Sequence, residues 1–259
     1  MDLRPLDYGF WAAGTILELL CVIWIWRRGL HRQLPWFATY LGLVLTADLA
    51  AWWLWHQVGY TDPKTFYIHW VFEALLLVAR ALVIAELCRD TLAAYAGIWK
   101  LSRLLLLAAA TALVSFALGT AWGAREAWPA FIYSAQHGLE MATAGILLLL
   151  LAVCRYYRVP VRPVTLWVAF GLGFYAGVQT ALLAALQIWG NASIPTFSLI
   201  RSASYLMALG TWLTAAIRAR AEQVSGPVLL PVGLYEQTAP QVNEQLQKLN
   251  ARLLEILRG

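Results

Sequence analysis

Residues 66–88 read FYIHWVFEALLLVARALVIAELC, an apolar run that is interrupted by Glu73, Arg80 and Glu86. A helix of about 20 mostly apolar residues spans the hydrocarbon core of a bilayer. Charged side chains are rare at that depth, and those that occur usually face the interior of a bundle or a water-filled cavity. The stretch therefore predicts a transmembrane helix with one polar face turned toward other helices.

Similar apolar runs recur along the whole chain. Of its 259 residues, 61% are hydrophobic and 13% are charged, whereas about a quarter of the residues in a soluble domain are charged. We predict seven spans, at residues 8–27, 36–56, 66–88, 100–122, 129–154, 164–189 and 195–217. The predicted fold is all-α, a polytopic membrane protein whose seven transmembrane helices form one bundle over residues 1–220.

Basic residues concentrate in alternate connections between these spans. Eleven lie at one end of the bundle, namely Arg27, Arg28, Arg32, Arg89, Lys100, Arg103, Arg155, Arg158, Arg162, Arg218 and Arg220, and three lie at the other, namely Arg4, Lys64 and Arg125. Because cytoplasmic connections are enriched in Lys and Arg, the pattern predicts an N-terminus outside and a C-terminus in the cytoplasm, in the plasma or inner membrane. The same distribution accounts for the net charge of +5 without a nucleic-acid partner.

Polar side chains inside the spans recur at helical spacing. His69, Glu73 and Arg80 fall within roughly 40° of one another on the third helix at 100° per residue. The other predicted site residues are Tyr133, Gln136, His137 and Glu140 on one face of the fifth helix, Arg201 and Tyr205 on one face of the seventh, Tyr175 and Gln179 on the sixth, and the single residues Glu18 on the first and Asp48 on the second. We expect these faces to line one cavity in the outer half of the bundle. Glu86 lies off the stripe, where we expect it to pair with Arg89 or Arg103.

The formal charges of this interior do not balance. The carboxyl groups are those of Glu18, Asp48, Glu73 and Glu140, and the guanidinium groups are those of Arg80 and Arg201. Unpaired charge is costly at low dielectric, so a protonated carboxyl group, a histidine or a bound cation must neutralise the excess. This predicts a site for a small ligand or an ion. In the structural alternative, Arg80–Glu73 and Arg201–Glu140 are ion pairs that only fix the bundle.

Two histidines offer a further hypothesis. One imidazole and one carboxylate on each of two helices could bind zinc or iron, through His69 and His137 with their neighbouring glutamates. Two histidines facing each other at one depth could instead hold haem. The cofactor, whether a bound cation, a metal or haem, stays open. A haem-, metal- or pigment-binding membrane subunit of a larger complex is therefore one alternative function.

A faint repeat relates the first three spans to the last three. Its matching elements are Pro63-Lys64-Thr65-Phe66 and Pro195-Thr196-Phe197, Leu17-Glu18 and Leu139-Glu140, and Pro35 and Pro163. Two parallel three-helix units joined by a fourth helix are similar to the sugar carriers of the SWEET type, although their Pro-Gln pair is absent from helices one and five. The resemblance implies a carrier of small solutes, which includes a proton-coupled one.

The composition changes beyond the last span. Residues 221–239 contain Gly226, Pro227, Pro231 and Gly233 and are predicted to be a linker. Apolar residues then recur at alternating spacings of four and three, at Val242, Leu246, Leu249, Leu253 and Ile256. This predicts a cytoplasmic amphipathic helix over residues 240–258, suited to homo-oligomer formation or to a cytoplasmic partner.

Motifs for catalysis are absent from the sequence. It contains no Gly-rich phosphate loop, no His-Glu-x-x-His helix and no Gly-x-Ser-x-Gly elbow, which favours a protein that is not an enzyme. An outward polar cavity joined to a cytoplasmic helix favours a receptor- or sensor-like protein for a small ligand or ion. The carrier and the haem-, metal- or pigment-binding subunit are the alternatives.

Overall fold

A computed structural model describes most of the chain, and the part it describes is helical. The described residues are 5–59, 62–93, 96–122, 124, 127–157, 161–189, 194–224, 244, 247–252 and 255. Seven α-helices follow one another: α1 (Pro5–Arg27), α2 (Pro35–Gln57), α3 (Pro63–Leu92), α4 (Ala96–Ala121), α5 (Ala127–Tyr157), α6 (Pro163–Trp189) and α7 (Ile194–Val224), with a 3₁₀ turn at Leu30–Arg32. No strand occurs within these ranges, so the predicted all-α fold is confirmed for them.

Five of the seven long helices are long and apolar enough to cross a membrane. These stretches are Tyr8–Arg27, Pro35–Gln57, Trp99–Ala121, Ala127–Arg155 and Pro163–Leu186, in α1, α2, α4, α5 and α6. The membrane-type helices predicted there are confirmed by length and composition. The other two long helices, α3 and α7, carry more ionisable side chains, and the count of seven spans and the orientation stay predictions.

Local sequence signals set several helix ends. Proline, which has no N–H to satisfy in the first turn, begins α2, α3 and α6. At α3 the Asp62 carboxylate accepts a hydrogen bond from the Lys64 N–H at 2.7 Å, as a helix cap does. At the far end, α7 continues to Val224, four residues into the predicted linker, and the rest of that linker lies outside the described residues.

Six helices form a closed ring. In order around it, α1, α2, α3, α5, α6 and α7 each pack on their neighbours, and α7 closes on α1. Helix α4 lies outside the ring against α3 and α5 and exposes the large apolar side chains of Leu104, Leu105 and Phe116. We call the end at which α1, α3, α5 and α7 begin the upper end and the opposite one the lower end.

A dense core fills the lower half of the ring. Trp212 of α7 is 1% exposed, donates a hydrogen bond from Nε1 to the Val168 carbonyl oxygen at 3.3 Å, and meets Phe37 edge-on at 5.3 Å between ring centroids. Gly171 permits this contact, because a Cβ atom there would lie 2.5 Å from Trp212 Nε1. Helices α6 and α7 are therefore locked together below the middle of the bundle.

Two carboxylates of α3 fasten the lower end. Glu86 accepts hydrogen bonds from the backbone N–H groups of Trp36 at 3.0 Å and Phe37 at 2.9 Å, in the first turn of α2. The predicted pairing of Glu86 with Arg89 or Arg103 is wrong, because the free amides at a helix N-terminus are fixed donors that attract a carboxylate. Asp90 accepts a hydrogen bond from the Thr165 hydroxyl at 2.6 Å.

The predicted C-terminal helix is described only in part. Glu244, residues 247–252 and Glu255 are helical. Lys248 Nζ lies 2.6 Å from Glu244 Oε1, and Leu249 is 43% exposed. The other predicted seam positions lie outside the described residues.

Candidate functional site: a charged cavity inside the helix ring

A cavity of about 540 Å³ lies inside the ring and reaches from the upper end past the middle of the bundle. All six ring helices contribute to its wall, whereas α4 does not. Eight of the predicted site residues line it: Glu18, Asp48, Glu73, Arg80, Gln136, Tyr175, Arg201 and Tyr205. Polar faces of helices that are far apart in the sequence thus meet around one space.

Three carboxyl groups form what we call the acidic wall, namely Glu18 of α1, Asp48 of α2 and Glu73 of α3. Glu18 is fully buried, and its Oε1 accepts a hydrogen bond from the Tyr205 hydroxyl at 2.6 Å. Its Oε2 is buried without a hydrogen-bond partner. Asp48 interacts electrostatically with both other carboxyl groups. Among the described residues, neither Asp48 nor Glu73 has a hydrogen bond or an ion pair.

Arg80 supplies the first positive charge of the cavity. Its Nη1 lies 3.6 Å from Glu140 Oε1 of α5, and the two side chains are 12% and 6% exposed. The guanidinium carbon lies 5.9 Å from the Tyr40 ring centroid and 6.0 Å from that of Tyr175, so two aromatic faces shield the charge. Its Nε is buried and unpartnered. Arg80 is therefore held in the wall by one ion pair and two aromatic rings.

Arg201 of α7 supplies the second positive charge. Its side chain lines the cavity and is exposed, and it interacts electrostatically with Tyr175. Within the described ranges it forms neither an ion pair nor a side-chain hydrogen bond. Arg201 thus presents a guanidinium group with free donors to the upper part of the cavity.

The two ion pairs that the sequence suggested as the structural alternative are not the ones that form. Neither Arg80–Glu73 nor Arg201–Glu140 occurs; Arg80 pairs instead with Glu140. Glu73 and Arg80 are two turns apart on one helix, about 10 Å along its axis, so the facing helix α5 offers a nearer carboxylate. One buried ion pair therefore ties α3 to α5, and no cationic side chain in the described part of the chain lies within ion-pair distance of the acidic wall.

Four predicted site residues of α5 and α6 do not line the cavity, namely Tyr133, His137, Glu140 and Gln179. Tyr133 is 55% exposed on α5, and its ring meets His137 at 4.0 Å. His137 Nδ1 lies 3.8 Å from Glu140 Oε2, so this imidazole and Glu140 stand behind Arg80. Gln179 is buried, and its Nε2 is without a hydrogen-bond partner.

The structure places the two histidines of the metal hypothesis apart from the cavity wall. His69 is exposed, because residues 66–69 in the first turns of α3 are not covered by another helix. The position of a residue around a helix predicts the direction of its side chain, but it does not show whether another helix packs there at the same height along the bundle. Among the described residues, no group of three or more His, Cys, Asp and Glu side chains is placed to hold a metal ion.

Sequence reasoning missed one wall residue with a clear role. Tyr40 of α2 lines the cavity and covers Arg80. Its signal was available, since Tyr40, Val44 and Asp48 recur at intervals of four and all three line the cavity. Only Asp48 was considered on this helix, because sequence reasoning took account of ionisable side chains there and of no aromatic ones.

Comparison with family models, with curated proteins and with solved structures found no match to this chain.

Proposed function

We propose that this chain is a receptor- or sensor-like membrane protein with seven transmembrane helices, and that it binds a small ligand or an ion in the cavity of the ring. The observation that carries the proposal is a cavity of about 540 Å³ whose lining includes three charged side chains, those of Asp48, Glu73 and Arg201, that have no partner among the described residues. Binding pockets for small molecules typically measure about 300–1,000 Å³. Charges held without partners in a bundle are costly unless a ligand or water compensates them.

The proposed orientation puts the cavity at the outer side of the plasma or inner membrane. Basic residues number eleven near the lower end and three near the upper end, which favours a cytoplasmic lower end. Arg201 at the upper end would then be reached from outside the cell. The predicted helix over residues 240–258 would lie in the cytoplasm, where it is suited to a homo-oligomer or a partner protein.

The packed core favours a receptor over a carrier. Leu41, Leu87, Leu147, Leu172 and Leu209 are fully buried and belong to the same core cluster as Trp212. A ligand bound above this core can shift helices, but a solute would have to displace packed side chains in order to pass. Binding at one end with a mechanical response at the other is the behaviour of a sensor.

A cavity-filling variant tests this proposal. Gly14 lines the cavity, and a Cβ atom there would meet Leu206 and Tyr205 only at ordinary contact distances, so Gly14→Leu should fold while filling the site. Gly9→Leu on the same helix is the matched control, since nothing lies within 4 Å of its Cβ position. Thermal unfolding in nanodiscs is measured with inorganic cations, amines, amino acids, organic acids and sugars. We expect at least one compound to stabilise wild type and Gly9→Leu but not Gly14→Leu; equal stabilisation of all three, or none, contradicts the proposal.

A carrier is the second candidate, and the symmetry of the ring favours it. Helix α1 packs on α2 and α7 just as α5 packs on α6 and α3, with α4 outside. Glu18 and Glu140 stand at the same position within α1 and α5. Each is bound by the equivalent neighbouring helix, Glu18 by Tyr205 of α7 and Glu140 by Arg80 of α3. Two related three-helix units around a shared site are typical of carriers.

Transport separates the two candidates. Wild-type protein in proteoliposomes is given each compound that stabilises it, and uptake and proton flux are recorded. A carrier predicts uptake that is lost in Glu73→Gln. Binding without uptake or proton flux supports the receptor and contradicts the carrier.

A further inference from the structure

The cavity keeps charges of both signs apart from each other. Among the described residues, the acidic wall has no arginine within 4.0 Å and Arg201 has no carboxylate within that distance, although all of them line the same space. Two buried atoms point to missing partners as well, Glu18 Oε2 and Arg80 Nε. In a bundle built only for stability, opposite charges this close in the fold would be expected to pair.

We propose that the ligand is a small organic zwitterion of the amino-acid type, whose ammonium group binds the acidic wall and whose carboxylate binds Arg201. The inference rests on the proposed binding function and specifies its ligand class. An ammonium group is a hydrogen-bond donor only, and the acidic wall offers acceptors, among them Glu18 Oε2, which is buried without a partner. A guanidinium group binds a carboxylate through two parallel hydrogen bonds.

Simpler ligands leave part of this wall unsatisfied. A bare amine would occupy the acidic wall and leave the donors of Arg201 free. A bare carboxylate would occupy Arg201 and leave three carboxyl groups facing one another. An inorganic cation would leave the donors of Arg201 free as well, and it would fill little of a cavity of about 540 Å³.

The aromatic part of the wall suits the body of such a molecule. Trp11, Tyr40 and Tyr175 line the same space, with the Tyr175 and Tyr205 rings 5.6 Å apart. Aromatic rings bury apolar groups and also attract ammonium groups to their faces. We therefore expect amino acids with an apolar side chain to bind more tightly than glycine.

The test compares complete amino acids with their halves. The probes are L-leucine, isopentylamine, which lacks the carboxylate, and 4-methylpentanoate, which lacks the amine, together with L-phenylalanine, phenethylamine and 3-phenylpropanoate. Affinity is measured by calorimetry on the full chain in nanodiscs. At least one amino acid should bind at least about tenfold more tightly than both of its halves, because a hydrogen bond to a charged group is worth about one factor of ten in affinity.

Arg201→Gln then assigns the carboxylate. This variant should weaken amino-acid binding at least about tenfold and change the affinity for the amine less than about threefold, whereas Arg201→Lys should restore part of the loss. Arg103→Gln on α4, outside the ring, is the matched control and should change neither affinity. Asp48→Asn should weaken the binding of the amino acid and that of the amine to a similar extent.

The outcomes separate the two proposals. If amines or inorganic cations stabilise wild type and Gly9→Leu but not Gly14→Leu, and amino acids bind no better, the zwitterion is overturned while the binding function stands. An unchanged amino-acid affinity in Arg201→Gln also overturns the zwitterion. If no compound stabilises wild type, both proposals fail.

Discussion

The carboxylates in the two halves of α3 have different surroundings: those near the lower end are hydrogen-bonded, and the one near the middle is not. Near the lower end, Glu86 accepts hydrogen bonds from two backbone N–H groups of α2, and Asp90 accepts one from the Thr165 hydroxyl of α6. Near the middle, Glu73 lines the cavity and has no hydrogen bond or ion pair among the described residues. In the sequence, Glu73 and Glu86 are each a single acidic residue among apolar ones, although Glu86 lies off the stripe of His69, Glu73 and Arg80. The neighbouring helix at each height makes the difference.

This contrast separates structural from functional charge. A carboxylate at a helix N-terminus finds amides that the helix itself cannot satisfy, so Glu86 stabilises the packing of α2 on α3. Glu73 instead lines the cavity and interacts electrostatically with another carboxyl group, that of Asp48. Neither of these surroundings stabilises the fold. Unpartnered charge inside the ring, rather than charge inside the bundle as such, is the better indication of a binding site.

The largest effect on unfolding is expected at Glu18, which falls between these two cases. Tyr205→Phe removes the one hydrogen bond of a fully buried carboxyl group and should cost about 1–3 kcal/mol of unfolding free energy. Tyr133→Phe, whose ring is 55% exposed on α5, is the matched control and should cost almost nothing. The measurement is thermal unfolding in detergent, with Glu18→Met as the third arm of a double-mutant cycle, because methionine has no oxygen that could accept this hydrogen bond. Equal losses for Tyr205→Phe in both backgrounds would show that the bond does not depend on the Glu18 carboxyl group.

Removal of the Glu86 side chain comes next. Glu86→Ala leaves two N–H groups in the first turn of α2 without their acceptor and should cost about 1–2 kcal/mol, the usual range for a lost helix cap. Glu86→Gln keeps one acceptor oxygen and should lose roughly half as much. Hydrogen exchange of the Trp36 and Phe37 amides measures the effect locally. Unchanged exchange in Glu86→Ala would contradict the capping role and weaken the contrast with Glu73.

The helices and most of the wall could be predicted from the sequence, because periodicity fixes the direction of each side chain. Glu73, Arg80 and Tyr205 lie on predicted stripes and line the cavity, and Glu18 and Asp48, each alone on its helix, line it as well. Periodicity could not predict which charged side chains form ion pairs, because that depends on the relative heights of neighbouring helices. Glu140 faces Arg80 rather than Arg201, and His69 is exposed although it shares a stripe with Glu73.

The prediction for Glu86 was wrong for a second reason, namely that its hydrogen-bond partners are backbone N–H groups rather than side chains. We expected Glu86 to find an arginine because sequence reasoning matches side chain with side chain. The amides of Trp36 and Phe37 carry no sequence signal of their own beyond Pro35, which begins α2 and so marks a helix N-terminus. That proline shows where free N–H groups lie, but only the packing of α2 on α3 shows which carboxylate reaches them.

A smaller effect is expected where Asp90 holds α6. Thr165→Val removes a 2.6 Å hydrogen bond from a side chain that is 2% exposed and should cost about 1 kcal/mol. Arg162→Gln removes the other partner of Asp90, at 3.7 Å, but the Arg162 side chain is 63% exposed, so the loss should be near zero. Thermal unfolding of the two variants under the same conditions gives the comparison. A larger loss for Arg162→Gln would mean that Asp90 is held by charge rather than by the hydroxyl.

The smallest effect on unfolding, and the sharpest test of the contrast, is expected at Glu73. Glu73→Gln on α3 is the same substitution on the same helix as Glu86→Gln, yet Glu73 has no partner to lose, so the unfolding free energy without ligand should change by less than about 0.5 kcal/mol or rise slightly as repulsion with Asp48 disappears. Any stabilisation by a bound amine or amino acid should fall in this variant, because a hydrogen-bonding carboxylate is gone. If Glu73→Gln instead destabilises the empty protein as much as Glu86→Gln does, Glu73 has a structural partner. The acidic wall would then be part of the scaffold, and the cavity would lose its main claim to bind a cationic group.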